Sequence, residues 1–208
     1  MSRLVDQLRQ AVEAFSGCRT PPALIGGLAL AAHSVVRATQ DVDFLVDADD
    51  AQFVHDVLEG LGYRCVHRSD DAANYVRGDQ GLDLLFAHRP VARRLLAEAD
   101  DRATALGHVH VISAEGLIAF KLQALTNDPS RRRDLEDIRA LLRAQQHHLD
   151  MGEVREQLAE PLVGDAGVGF RPVARADLSD WIELMEVVEA LCPVWPERRA
   201  AIGGEFKL

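Results

Sequence analysis

Between Leu24 and Asp47 the chain reads LIGGLALAAHSVVRATQDVDFLVD, and no other segment restricts the fold as much. Gly26 and Gly27 follow directly on the apolar run Ala23 to Ile25, and each glycine carries a backbone-entropy cost relative to alanine. Asp41 and Asp43 then alternate with Val42, Phe44 and Val46. That is the period of a strand, so both carboxylates face one way and the apolar side chains the other. A carboxylate on a buried strand costs on the order of several kcal/mol unless something neutralises it. A segment that places adjacent glycines and paired aspartates so close together is preparing a site. Its predicted order is strand, glycine turn, helix, strand. The helix LALAAHSV carries Leu28, Ala31, Ala32 and Val35 on one face, and its amino terminus offers free N–H groups and the positive end of a dipole.

The remaining pattern predicts an α+β chain, with a mixed β-sheet, flanking helices and a helical carboxy-terminal region. Residues 1–112 form the core in this reading and residues 113–208 close the cleft. The amino-terminal MSRLVDQLRQAVEAF is an amphipathic helix rather than a signal peptide. Asp49 to Leu61 reads as helix, with Asp47, Asp49 and Asp50 capping and starting it. Strands follow at Tyr63 to His67, Asn74 to Arg77 and Leu82 to Phe86, then a helix from Val91 to Ala99 and a strand from Val109 to Ile112. Ser113 caps a helix through Leu125, and another runs from Arg131 to Gln145. Residues 161–177 read as an irregular loop, and a closing helix begins at Ser179.

Paired carboxylates on one strand face cannot both remain ionised and close together without a cation. Hard carboxylate oxygens suit Mg²⁺ or Mn²⁺, and Mg²⁺ binds typically through one or two carboxylates plus substrate phosphates. The Gly26-Gly27 turn supplies the complementary part, since a phosphate can approach a backbone without side chains. Asp83, the lone charge in GLDLLF, is the candidate third acid on a strand beside that of Asp41 and Asp43. Lys121 stands near Leu117, Leu122 and Leu125 in a chain whose other basic residues, Lys207 excepted, are all arginines. It either touches a phosphate or pairs with Asp134 and Asp137, which share a helix face at i and i+3.

Gly26-Gly27, Asp41-Val42-Asp43 after a gap of 13 residues, and Leu82-Asp83-Leu84 together resemble the signature of the DNA polymerase beta-like nucleotidyltransferase superfamily. The stretch GGLALAAHSVVRATQDVDF, with Arg37 and Thr39 ahead of Asp41, looks like the abortive-infection (AbiEii-type) nucleotidyltransferases of type IV toxin systems and their uncharacterised relatives. LIAFKLQALTNDPSRRRDLEDIRALL is similar to that family's second half, a helix lysine followed by an Arg-Asp-x-x-Asp helix. The resemblance covers roughly residues 22–143. It implies Mg²⁺-dependent transfer of a nucleoside monophosphate from an NTP to an acceptor, which is tRNA, a protein or a small molecule, with an antitoxin protein as a further partner. It implies nucleotide contacts from Gly26, Gly27, Arg37, Thr39 and Lys121, metal ligation by Asp41, Asp43 and Asp83, catalytic roles for those acids and Lys121, and auxiliary roles for Asp134 and Asp137. One departure stands out: many members carry Gly-Ser, whose hydroxyl contacts phosphate, whereas Gly27 here is followed by Leu28. The alternatives are an aminoglycoside-like small-molecule nucleotidyltransferase and a non-catalytic nucleotide- or partner-binding member of the fold.

The formal net charge of -10 argues against a protein that coats nucleic acid by bulk electrostatics. No apolar run approaches membrane length, and Cys18, Cys65 and Cys192 have no paired metal spacing, so a cytoplasmic chain with idle thiols is expected. His108 and His110 alternate on a strand without a third ligand, Arg131 to Arg133 read as a solvated face, and the glycines of GDAGVGF read as plain loop.

Overall fold

The computed structural model describes residues 3–104, 107–128, 130–145 and 148–158. The expected loop over 161–177, the closing helix and Cys192 lie outside the described residues. The chain runs α1 (Arg3–Ala14), β1 (Ala23–Leu24), α2 (Gly26–Ala32), β2 (Asp41–Asp47), α3 (Ala51–Gly60), β3 (Arg64–Arg68), β4 (Ala72–Arg77) and β5 (Gln80–Ala87). It continues through α4 (Pro90–Ala97), β6 (Asp100–Thr104), β7 (Gly107–Val111), α5 (Ala114–Asn127), α6 (Arg132–Ala144) and α7 (Met151–Gln157). The architecture is α+β, as the alternation of period-2 and period-3.6 segments predicts. The described strands form one mixed sheet in the order β3-β4-β5-β2-β1-β7-β6.

At the centre, β2 pairs parallel with β5 and antiparallel with β1, and β5 pairs antiparallel with β4. The apolar face of β2 is buried as its alternation requires: Val42, Phe44 and Val46 lie inside with Leu82, Leu84 and Phe86 of β5 and Tyr75 of β4. Helices α1 and α4 pack on it. Phe15, just after α1, meets the Phe44 ring edge to face at 5.2 Å between centroids. Each such large apolar side chain contributes roughly 1.5–3 kcal/mol on burial, so this layer fixes which way β2 faces. The carboxylates of Asp41 and Asp43 are thereby held on the opposite face.

Local chemistry sets the element ends. Asp47 accepts from the Asp49 N–H at 2.9 Å and starts a 3-10 turn ahead of α3. Asp50 is buried and accepts the backbone N–H groups of Arg19 and Thr20, tying the turn before β1 to the start of α3. Ser113 caps α5 by accepting from Gly116 N–H at 3.1 Å. Helix α5 packs on α2, α6 and α7.

Two elements go beyond those expected from the sequence. Strand β6 is a largely exposed edge strand, DDRAT, without apolar alternation, and its place comes from antiparallel pairing with β7. Helix α7 is short, capped by Asp150, and buries Met151 and Val154. Cys18 and Cys65 are free and partly buried. Burial, with the Asp50 charge adding to it, pushes the Cys18 thiol up to about 12, which makes it inert as a nucleophile.

Candidate active site

Parallel pairing of β2 with β5 sets Asp43 directly beside Asp83, and Asp41 beside Gly81. Adjacent strands lie about 4.8 Å apart, so the carboxylates of Asp43 and Asp83 share one small region of the sheet face. Burial first, then the charges of Asp83 and Asp41, push the Asp43 carboxyl up to about 6, against the pull of a Gly27 backbone N–H bond and Arg37. Burial also raises Asp83; a hydrogen bond from Asn74 counters it, and the Asp41 charge adds to it. The site therefore holds mutually repelling carboxylates and little to offset them from within.

The glycines have a steric explanation. Gly26 opens α2 at φ +61, and a Cβ there would lie 2.1 Å from Asp43 Oδ2. A Cβ on Gly27 would meet the Thr39 side chain at 2.7 Å, and one on Gly81 would meet Asp41 Oδ1 at 2.2 Å. Each aspartate at the start of β2 thus abuts a residue that has no side chain to displace it. Gly26→Ala is expected to lower the melting temperature and displace Asp43, because the left-handed conformation alone costs an L-residue roughly 1–2 kcal/mol. Gly60→Ala is the control, since a Cβ there meets nothing within 4 Å. A melting curve in which the two variants shift alike would overturn this account of Gly26.

Beside the carboxylates, a chain of alternating charges runs into the helices. Arg37 Nε bonds Asp137 at 3.0 Å, and Lys121 Nζ bonds Asp137 at 2.7 Å and Asp134 at 2.9 Å. Arg131 Nε reaches the other oxygen of Asp134 at 2.5 Å. Lys121, Asp134 and Asp137 are buried, while Arg131 is exposed. Burial works to raise the Asp134 carboxyl, but the bonds from Arg131 and Lys121 outweigh it and hold it below the usual range. Of the alternatives open for Lys121, the structure shows the pair with both aspartates.

A cavity of about 360 Å³ lies between the Gly26 turn and the helices that carry the ion pairs. Gly26, Ile25 and Leu85 line the sheet side, and Phe120, Lys121 and Arg131 line the helix side. Its wall is largely apolar, which suits a ligand with a flat apolar part, and at its polar end Lys121 and Arg131 stand beside Asp128 and Asp134.

The ten residues singled out in the sequence are thus connected in space. Gly26 touches the position of Asp43, Gly27 touches Thr39, and Thr39 Oγ1 donates to the Asp41 carbonyl at 3.4 Å. Arg37 bridges towards Lys121, Asp134 and Asp137 through Asp137. His108 instead pairs with Asp101 on the surface at 2.9 Å, away from this group. Asn74, which belongs to no motif of the sequence, stands opposite Asp83 on β4 and donates to its Oδ1 at 2.7 Å.

Among the described residues, no three His, Cys, Asp or Glu side chains converge tightly enough to form a ready metal cage. The donor set nevertheless fits a hard divalent cation. Mg²⁺ typically takes one or two carboxylates and fills its remaining positions with water and substrate phosphate, and the raised Asp43 is relieved by a nearby cation.

A family model described as uncharacterised nucleotidyltransferase matches residues 2–166 of the chain. No curated protein matches it. Among solved structures, the crystal structure of ANT(2'')-Ia in complex with adenylyl-2''-tobramycin is similar in fold, with TM-score 0.56 at 20% identity over 75% of this chain and 95% of that one. The solution structure of the same antibiotic-resistance factor gives TM-score 0.56 at 18% identity over 88% and 95%. A lincomycin-bound lincosamide antibiotic adenylyltransferase gives TM-score 0.49 at 17% identity over 65% and 94%.

Proposed function

The chain belongs to the family of uncharacterised nucleotidyltransferases, and we propose from that premise that it moves a nucleoside monophosphate from an NTP to an acceptor nucleophile at the face shared by Asp41, Asp43 and Asp83. One observation carries this reading: Gly26, which lines the 360 Å³ cavity, is packed so tightly against Asp43 that only a residue without a side chain fits.

Nucleotidyltransferases use divalent metal ions, and Asp41 and Asp43 would hold Mg²⁺ or Mn²⁺ here, with Asp83 as a further carboxylate. When bound, the cation neutralises phosphate charge and the crowded aspartates together. The backbone at Gly26 and Gly27 admits the phosphates at close range, and Lys121 and Arg131, which line the adjoining wall and pair with Asp134, are the cations a phosphate would engage there. Phe120 and Leu117 line the cavity and offer the apolar surface against which the base would lie. Asp83 receives or directs the acceptor's proton as the acceptor oxygen attacks the α-phosphorus. The bond from the α-phosphorus to the bridging oxygen breaks, and pyrophosphate leaves with that oxygen.

The AbiEii-type reading, with tRNA or a protein as acceptor and an antitoxin partner, is supported by the order Lys121, Asp134, Asp137 on consecutive packed helices. A small hydroxylated acceptor is the second reading. The modified aminoglycoside bound to ANT(2'')-Ia belongs to that class, and the net charge of -10 favours it over bulk RNA binding. Among the described residues, no helix is long and apolar enough to cross a membrane.

The test is thermal melting with each of the four NTPs, with and without Mg²⁺, on the wild type and the Asp41→Asn/Asp43→Asn variant. A nucleotide at 100 times its Kd stabilises the folded state by about 2.7 kcal/mol, or roughly 5–11 °C for a chain of this size. The expected shift needs Mg²⁺ and vanishes in the variant. No shift at saturation with any NTP would overturn the enzyme reading, and a shift followed by transfer of labelled nucleotide would name the acceptor.

A further inference from the structure

We infer that Asn74 is a positioning residue for Asp83: its side-chain amide holds that carboxylate in the orientation the reaction uses. This rests on the reading of Asp83 as a carboxylate that helps Asp41 and Asp43 hold the divalent cation.

The pairing of three strands places the residue. Asn74 of β4 is the direct antiparallel partner of Asp83, and Asp83 is the direct parallel partner of Asp43, so the three lie in one row across the sheet. Asn74 and Asp83 are both half-buried. The Asn74 Nδ2–H donates to Asp83 Oδ1 at 2.7 Å, a short bond for an amide and a carboxylate. Among the described residues, Asp83 Oδ2 has no hydrogen bond, so one oxygen is held and the other is left for chemistry.

The choice of residue agrees with that role. Asparagine is disfavoured within strands, and β4 is otherwise Ala72, Ala73, Tyr75, Val76 and Arg77. A local cost in a short strand suggests that the amide is there for what it touches. Lysine or arginine would hold the carboxylate too, but would neutralise it and compete with a cation. A neutral amide orients the carboxylate and leaves its charge in place. With the amide reversed, its oxygen would face an ionised carboxylate at 2.7 Å, so the donor orientation is the one this bond requires.

The experiment is Mn²⁺ binding, read as the loss of free Mn²⁺ signal by electron paramagnetic resonance, in the presence of an NTP analogue with carbon bridging the α- and β-phosphorus. Wild type, Asn74→Ala, Asn74→Val, Asp83→Asn and the Asn74→Ala/Asp83→Asn double variant are compared. Loss of a group that orients a metal ligand weakens metal binding by about 10–100-fold, so half-saturation should move up at least about tenfold in both Asn74 variants. Asn74→Val improves the strand propensity while removing the donor, so it should melt no lower than wild type and yet show the same loss. In the Asp83→Asn background, Asn74→Ala should add nothing, because it acts through Asp83. Half-saturation within twofold of wild type in both single Asn74 variants, or an undiminished effect in the double variant, would overturn the inference. Asp83→Asn without effect on Mn²⁺ would overturn the reading of Asp83 itself, and the role of Asn74 with it.

Discussion

In metal-free buffer at pH 7.5, Asp43→Asn should melt at a higher temperature than the wild type, and the difference should vanish by about pH 4. Proton linkage sets the sign. The folded-state carboxyl sits at about 6 against an ordinary value of 3.8, chiefly through burial and then through the charges of Asp83 and Asp41. Below 3.8 the group is protonated in both folded and unfolded chains and makes no difference between them. Between 3.8 and 6 the folded chain binds more protons than the unfolded one, so stability falls as pH rises. Above 6 the whole penalty is in force, and a rise from 3.8 to about 6 corresponds to about 3 kcal/mol. Asparagine is nearly the same shape, keeps an acceptor for the Gly27 N–H, and carries no charge to repel its neighbours.

Addition of Mg²⁺ and a saturating NTP should reverse the order. The wild type gains about 2.7 kcal/mol at 100 times Kd, while the variant lacks the carboxylate that makes the gain possible. A site that is less stable empty, and stabilised only by the ligands it serves, is the usual compromise between stability and activity. Scans of both proteins at pH 4 and 7.5, with and without Mg²⁺ and NTP, check the whole pattern. An apo variant that melts lower than wild type at both pH values would mean that Gly27 and Arg37 stabilise the Asp43 carboxylate more than its neighbours strain it.

Much of this site is legible in the order of residues, because the signals are local. The alternation DVDF places Asp41 and Asp43 on one face without reference to any other strand, and the burial of Val42, Phe44 and Val46 follows the same period. Ser113 caps its helix through an oxygen three residues from its target. The partnerships between strands are a different matter. That Asn74 faces Asp83, or that Gly81 faces Asp41, depends on the register set by β4 and β5 across the turn at Gly78. Nothing in AANYVR distinguishes that asparagine from a solvated one. The glycines show the same division. Their place at a strand-to-helix junction is readable, and it suggests phosphate access; that Gly26 and Gly81 also yield space to aspartates on β2 emerges only once the strands are paired. Edge strand β6 shows a further limit, since pairing with β7 can hold a polar segment that has no apolar face to bury.

Lys121→Met should lower the melting temperature by roughly 6–12 °C, the largest loss expected from any single charge change in the helical part. Removing one partner of a buried ion pair costs about 3–5 kcal/mol, because the remaining charge is left in a poorly solvating interior. Here the ammonium is shared by Asp134 and Asp137, both buried, so two carboxylates lose a donor at once. Arg131 still bonds Asp134 and Arg37 still bonds Asp137, which keeps the loss near the lower end, about 3 kcal/mol, or roughly 2–4 °C per kcal/mol at this chain length. The sign of the pH dependence separates this effect from that of Asp43. The Asp134 carboxyl is held below its ordinary value by bonds from Arg131 and Lys121 against its burial, so its stabilisation is present above that ordinary value and is lost as pH falls through the lower one. The deficit of Lys121→Met should therefore be full at pH 7 and shrink in acid, when the wild type loses the same ion pairs. Lys121→Arg tests geometry at constant charge: a guanidinium has donors enough for both aspartates, but its larger planar head does not fit the buried position of the compact ammonium, so it should recover only part of the loss. Melting of Lys121→Met within about 2 °C of wild type at neutral pH would show that the arginines alone satisfy both carboxylates, and would free Lys121 to be assigned wholly to the nucleotide.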